Sequence, residues 1–385
     1  VKQTADVVII GGGCMGASTA FHLSKLGVTD VVLLERDTML GTGSTGRNAG
    51  GVRHQFSSEA NVRFSIESIA FFERFEEEVG SPIDLHQDGY LFLLSTEDDR
   101  RAFHTNVEMQ KRLGVEVDEL SPAEAARLAP GLNVDGILGA TFCARDGIAD
   151  PNGVTMGFAK SAQAAGVEII REAEVTGIEV ESGSVVAVQT TRGEIFTHCV
   201  VNAAGPYARN IGAMAGLDIP VLPYSRHIFI TQPIAPPLAP ASRIMVIEFE
   251  TTFYFHREGS GILFGMGDRD EGPTFDTSVS WEFLERLTPI ASRRLPALGD
   301  SAIAHAWAGL YEMTPDGMPI IGAAPSLRGF YMINGFSGHG FQHCPAAGRM
   351  LANMILGTGE ADPDAPSFSF GRFIDPSHRG ERNVV

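Results

Sequence analysis

Short, wholly apolar runs alternate with glycine clusters along this chain, and the first such junction sets the reading. Val7-Val8-Ile9-Ile10 leads straight into Gly11-Gly12-Gly13-Cys14-Met15-Gly16, an amphipathic segment follows, and a second apolar run ends in Glu35. The pattern predicts a buried strand, a glycine turn, a helix and a second strand with an acid at its tip. In such a unit Gly11 allows the tight turn, Gly13 lets backbone N–H groups approach a diphosphate, and Gly16 lets helix and strand pack closely. Glu35 is placed to accept hydrogen bonds from an adenosine ribose, and the helix N-terminus, with its unpaired N–H groups, favours the diphosphate.

After Glu35 the periodicity vanishes in a polar, glycine-rich stretch from Gly41 to His54, which reads as a ligand-lining loop. Val62, Ile66, Ile69, Phe72 and Phe75 recur near a period of 3.6 and predict a helix over 58–79. A strand is expected over 88–94, and Ser121-Pro122-Ala123-Glu124 has the form of a capping box. A helix over 150–165 precedes strands at 167–170, 173–180 and 185–191, then Cys199-Val200-Val201-Asn202-Ala203-Ala204-Gly205-Pro206, where an apolar strand again meets small residues. Strands at 227–231, 243–248, 252–256 and 261–266 and a helix at 280–291 form a sheet-dominated lobe inserted between nucleotide-binding pieces.

Tyr331 to Asn334 reads as a strand that breaks into Gly335-Phe336-Ser337-Gly338-His339-Gly340-Phe341-Gln342, before a helix from Pro345 to Leu356. From Asn334 to Gly357 there is no Asp or Glu, so this helix N-terminus suits a developing negative charge. Residues 371–385 are polar and aperiodic and are expected to be a loosely ordered tail. The fold class is therefore α/β (α+β): a Rossmann-type domain from 1–84, 147–220 and 309–357, an inserted antiparallel-sheet substrate domain from 85–146 and 221–308, and a tail from 358–385.

Composition narrows the partners. A formal charge of -18 with no cluster of Lys and Arg argues against nucleic acid. Cys14, Cys143, Cys199 and Cys344 form no CxxC pair, so neither a zinc site nor a disulfide framework is expected, and no HxH, HxxxH or GxSxG is present. No apolar stretch is long enough to span a bilayer and no basic-plus-apolar leader stands at the start, which makes a reducing, cytoplasmic setting the default expectation.

Taken together, GGGxxG at 11–16, Ser44-Thr45-Gly46-Arg47-Asn48, Val200 to Gly205, Trp307-Ala308-Gly309 with Thr314-Pro315-Asp316-Gly317, and Gly335 to Phe341 resemble the FAD-dependent D-amino acid oxidase superfamily, in its sarcosine oxidase and dimethylglycine dehydrogenase branch. The resemblance implies a sarcosine oxidase-like FAD enzyme that oxidises a small secondary or N-methylated amino acid by hydride transfer to flavin N5, leaving an imine that water hydrolyses. It implies a cofactor-binding set of Gly11, Gly13, Cys14, Met15, Gly16, Glu35 and Arg36, joined by Ser44, Thr45, Arg47, Asn48, Gly50 and Gly51. Val175 would hold the adenine through its backbone, Ala204, Gly205 and Gly309 would flank the ligand, and Gly338, His339, Gly340, Phe341 and Gln342 would cap the isoalloxazine.

Departures from the family matter equally. Arg47 and Gly309 stand where covalent members carry a flavin-linking His or Cys, so a noncovalent FAD is expected; Leu263 and Gln342 replace two lysines of monomeric sarcosine oxidases. Arg53 aligns with the family's carboxylate-binding arginine and its fork suits that group, the other reading being a surface or pyrophosphate-bound Arg. Tyr254 matches a substrate-side tyrosine, or is a core aromatic. His339 either titrates and acts on the amine or serves through its backbone, with His54, His227 and His256 as weaker candidates. The expected partner is a small amino-acid substrate, within a homo- or hetero-oligomer; an amine or proline dehydrogenase passing electrons to a protein, or a noncatalytic assembly flavoprotein, are the alternatives.

Overall fold

Four consecutive apolar residues without polar alternation belong in the middle of a parallel sheet covered on both faces, and Val7–Ile10 takes that place, every residue buried. The computed structural model describes residues 2–268, 270–358, 362–374 and 379–384. In chain order the site is positioned by β1 (Val7–Ile10), α1 (Cys14–Lys25), β2 (Val31–Leu34), α2 (Glu59–Glu73), β3 (Tyr90–Leu94), β4 (Asp118–Leu120) and β5 (Gly139–Cys143). Next come α3 (Pro151–Ala164), β6 (Glu168–Ile170), β7 (Val200–Asn202), β8 (Leu222–Thr231), β9 (Met245–Glu248), β10 (Phe253–Glu258) and β11 (Gly261–Gly265). The set closes with β12 (Ile303–Met313), β13 (Ile320–Ala323), β14 (Phe330–Asn334) and α4 (Gly340–Leu356).

One sheet has the order β13-β14-β7-β1-β2-β6. Its pairs are parallel except β13 with β14. The glycine turn after β1 thus opens at the carboxyl end of the strands, where open α/β sheets bind ligands. Helices α1, α3 and α4 share the apolar core on one face. The α1–α4 crossing is close because Gly348 carries no side chain: a Cβ there would lie 2.2 Å from Ser18 Oγ, which donates to Cys344 O at 2.6 Å.

The second sheet, of order β12-β8-β11-β10-β9-β3-β5-β4, joins the two expected segments of the inserted lobe. It departs from a purely antiparallel sheet at one place, the parallel pair β9–β3, because the chain returns to the lobe after completing the nucleotide-binding half. Its outer face is covered by the helix Trp281–Arg294. The buried Arg294 donates to Glu248 Oε1 at 2.7 Å and ties that helix to β9.

Three local expectations change. Helix α4 starts at Gly340 rather than Pro345, since a proline in the second turn forfeits a single backbone bond and does not have to start a helix. The helix expected over 58–79 breaks at Arg74 into α2 and a short piece, Phe75–Val79. The polar end of the chain is not loose where it is described: Glu381 and Asn383 are buried, because their partners lie in the segment 53–61 rather than nearby in sequence. Residues 359–361, 375–378 and 385 of the expected tail lie outside the described residues. No helix among the described residues is long and apolar enough to cross a membrane.

Candidate active site

A cavity of about 590 Å³ runs between the two sheets, from β2 and Val175 at one end, past the N-terminus of α1, to Arg53 and Tyr254 at the other. Apart from the weaker histidine candidates, every site residue read from the sequence lines it except Gly16 and Gly50. Those two act behind the wall. A Cβ on Gly16 would sit 1.9 Å from Gly11 O, and one on Gly50 would sit 2.6 Å from Ala149 O. Gly11 itself has φ +114°, with Ala203 O only 2.3 Å from where its Cβ would be, so strand β7 presses directly on the turn.

At the α1 end Cys14 N donates to Thr45 Oγ1 at 3.2 Å, and α1 carries no acid in its first turn. Glu35 accepts from Gly12 N at 2.8 Å and from Asp37 N at 2.9 Å. Burial pushes its carboxyl above the ordinary range despite these bonds. The Arg36 guanidinium lies 3.8 Å over the Tyr207 ring, and Phe275 stacks on the same ring at 4.7 Å.

The glycine-rich loop is bonded to β12 rather than free. Ser44 Oγ donates to Leu310 O at 2.6 Å, Arg47 Nη1 donates to Ala308 O at 2.8 Å, and Trp307 Nε1 donates to Arg47 O at 2.9 Å. A Cβ on Gly309 would lie 2.9 Å from Arg47 Cβ, so these two positions exclude each other's larger side chains.

At the far end three tyrosines enter where three glycines make room. A Cβ on Gly51 would meet Tyr90 Oη at 1.8 Å, one on Gly265 would meet Tyr254 Oη at 2.5 Å, and one on Gly338 would meet the Tyr311 ring at 2.3 Å. Burial holds all three phenols above their ordinary range, so they enter the cavity as neutral hydroxyls. Arg53 is 4% exposed. Its Nη1 donates to Gln55 O and its Nη2 to Asn383 O, its guanidinium lies 3.9 Å over Phe56, and its backbone N donates to Gln342 Oε1 at 2.7 Å. Among the described residues no carboxylate lies within ion-pair distance of it, and burial pulls its pKa down.

His339 caps α4 with its ring turned aside: Nε2 pairs with Gly317 O at 3.0 Å, and burial lowers its pKa to about 4. Of its two readings, the geometry favours the backbone one. His227 and His256 are buried in β8 and β10 and do not line the cavity. His54 Nδ1 pairs with Asp146 at 2.6 Å, and with Cys143 these form the one grouping of metal-ligating atoms found among the described residues, all within 4.8 Å. Asp146 already accepts from His54 N and Gln55 Nε2 as well, so the trio braces the turn after Arg53.

Sequence reasoning missed Tyr90, Tyr311, Arg226 and Glu312. Arg226, on β8, faces the cavity 5.1 Å from the Tyr311 ring and pairs loosely with Glu271 at 3.6 Å. Glu312 overturns the acid-free picture of the α4 approach, because β12 delivers a carboxylate that the local segment lacks. Its Oε1 accepts from Phe336 N at 3.4 Å, its Oε2 has no partner, and burial pushes its pKa up to about 7. A carboxyl raised in the folded state keeps its proton after the unfolded chain has lost one, so stability falls as pH rises from about 4.5 to 7. Ligand-free protein should lose up to ~3 kcal/mol over that window. The Glu312→Gln protein should lack this component in urea unfolding at about pH 5 and 7.

The family model described as FAD dependent oxidoreductase (DAO) matches residues 6–354. Mitochondrial sarcosine dehydrogenase of Mus musculus is 32% identical over 390 residues, covering 97% of this chain and 42% of its own length. The chain thus spans less than half the length of that relative. Sarcosine oxidase subunit beta of Rhizobium meliloti (strain 1021) is 29% identical over 379 residues, 97% of this chain and 89% of its own. The crystal structure of L-proline dehydrogenase from P. horikoshii superposes with a TM-score of 0.90 at 36% identity, over 98% of this chain and 100% of that one.

Proposed function

Because the chain belongs to the DAO family of FAD-dependent oxidoreductases, we propose that it oxidises a small secondary or N-methylated amino acid, of the sarcosine or proline type, to its imine with noncovalently held FAD. The observation that carries this reading is Arg53, a buried cation on the cavity wall with no carboxylate partner among the described residues. Leaving such a charge without a counter-ion is costly, and a substrate carboxylate supplies one.

The residues present fit the cofactor. The side-chain-free turn of Gly11, Gly12 and Gly13 brings the N-terminus of α1 to the cavity wall, where a diphosphate is favoured, and Glu35 stands at the tip of β2 for a ribose. Bound FAD supplies the acceptor for the hydride equivalent that leaves the carbon beside the amine. Arg53 and the nearby Arg226 hold the carboxylate, and the neutral Tyr254 hydroxyl donates to the carboxylate or accepts from the amine. The N-terminus of α4 has no acid in its first turn, and burial keeps the neighbouring Glu312 carboxyl protonated below about pH 7, so negative charge is favoured at the capping loop. The crowding of Gly309 against Arg47 supports noncovalent attachment, since neither position offers a nucleophile.

Leu263 is buried in β11 and leaves no cation at the place where oxygen-using relatives carry one, which supports a dehydrogenase that passes electrons to a carrier. The likeness to a protein named as a subunit supports work within a hetero-oligomer. Anaerobic addition of proline, sarcosine, dimethylglycine and glycine in turn, followed by air, tests the reading. Bleaching of the yellow protein by one of the first three, with slow recovery in air, is expected. Rapid recovery with peroxide would instead make it an oxidase, and no bleaching by any of the four would overturn the substrate class.

A further inference from the structure

We propose that the segment Glu381–Val384 is part of the substrate site, a strap that positions Arg53 for the carboxylate. The inference rests on the reading of Arg53 as the carboxylate anchor. Two backbone carbonyls fix the Arg53 fork: Gln55 O, two residues along the chain, and Asn383 O, from the far end of the sequence. Asn383 also donates through Nδ2 to Gln55 O at 3.3 Å, so the two acceptors are tied to each other. Val384, the next residue, lines the cavity itself.

The strap is held by a built anchor. The Glu381 carboxylate, 7% exposed, accepts from Ser57 N at 2.8 Å, Ser58 N at 3.2 Å and Asn61 Nδ2 at 2.9 Å. The hydroxyls of Ser57 and Ser58 donate to it as well, at 2.5 and 2.8 Å, as do Asn383 N at 2.9 Å and Arg382 N at 3.1 Å. These donors cluster at the N-terminus of α2, so Glu381 supplies the negative charge that a helix start favours, from 320 residues away in sequence. A carboxylate saturated in this way fixes the backbone two residues on, and with it the carbonyl that orients Arg53. Arg53, on the cavity wall, is then held in place before any ligand arrives, which lowers the ordering cost of binding.

Glu381 and Asn383 are thus positioning residues, and a purely structural role would leave carboxylate affinity alone. The test measures binding of acetate and of acetamide to the FAD-loaded protein, by the shift of the flavin absorption, in wild type and in the Glu381→Gln and Asn383→Ala proteins. Thermal melting and flavin content are followed beside it. Acetate affinity is expected to fall about tenfold in Glu381→Gln and about threefold in Asn383→Ala, which keeps the backbone carbonyl to Arg53 and loses only the Nδ2 tie to Gln55 O, while acetamide affinity and flavin content stay near wild type. In turnover, KM for the amino acid should rise by a similar factor with kcat within about twofold. Equal acetate affinity in wild type and the variants overturns the strap, as does a parallel loss of acetate and acetamide binding. If wild type itself fails to prefer acetate over acetamide, the carboxylate reading of Arg53 falls first, and the strap with it. Should Glu381→Gln fail to fold, Asn383→Ala, which keeps every bond of the Glu381 side chain to α2, decides the matter.

Discussion

Replacing Arg53 by Ala is expected to leave the protein yellow and nearly inactive. Losing one member of a buried, hydrogen-bonded charge pair costs about 2–5 kcal/mol, so kcat/KM for the amino acid should fall roughly 30- to 5,000-fold. The loss should appear mainly in KM and in acetate binding, because Arg53 lies against Phe56 and the loop carbonyls rather than in the α1 turn. Arg53→Lys should recover little of it: a single ammonium cannot bond Gln55 O, Asn383 O and a carboxylate in the geometry of the planar fork. Steady-state kinetics on the amine that bleaches the flavin, with flavin content measured in parallel, checks this. A variant with unchanged KM would remove Arg53 from the substrate site.

The second large effect is at Gly16, which touches no ligand. A Cβ there would lie 1.9 Å from the carbonyl oxygen of Gly11, backbone against backbone, so no side chain can yield to relieve it. Gly16→Ala must push α1 away from β1 and distort the turn that presents the α1 N–H groups. Overpacking of this kind costs about 1–3 kcal/mol or more, and the expected product is colourless, with FAD affinity down at least roughly a hundredfold and a lowered melting temperature. Gly43→Ala is the control within the neighbouring loop: nothing lies within 4 Å of its added methyl group, and it should retain wild-type flavin. Retention of FAD by Gly16→Ala would show that the α1 turn is not what holds the diphosphate.

What was legible in the sequence is what short-range order encodes. The turn from Val8 to Gly16 and the acid at Glu35 are fixed by neighbours within one βαβ unit. The Ser121–Glu124 capping box appears with both reciprocal bonds, because a cap needs only four consecutive residues. The residues that escaped notice are placed by register. Arg226 faces the cavity because Ile228 pairs with Gly265 and Arg226 itself with Gly309 across neighbouring strands, and no local pattern announces that alignment. Glu312 likewise arrives from β12 at a helix approach whose own sequence carries no acid. The tyrosine–glycine pairs Tyr90–Gly51 and Tyr254–Gly265 are visible only when both partners are known. The helix Glu97–Arg112 went unread because charged residues dominate it and few of its positions are buried. The end of the chain was misjudged for a related reason: polarity reads as solvation, yet the polar groups of Glu381 and Asn383 are satisfied inside the protein.

The parallel pairing of β9 with β3 also bears on how the molecule is made. As the chain leaves the ribosome, Tyr90–Leu94 emerges with β5 as its early neighbour, but its other edge must wait for Met245–Glu248, roughly 150 residues and many seconds of translation later. In that interval a nascent chain shows an apolar strand edge of five buried-type residues to solvent. Lower growth temperatures and ample chaperone during expression should therefore raise the soluble yield more than any change at the cavity between the sheets.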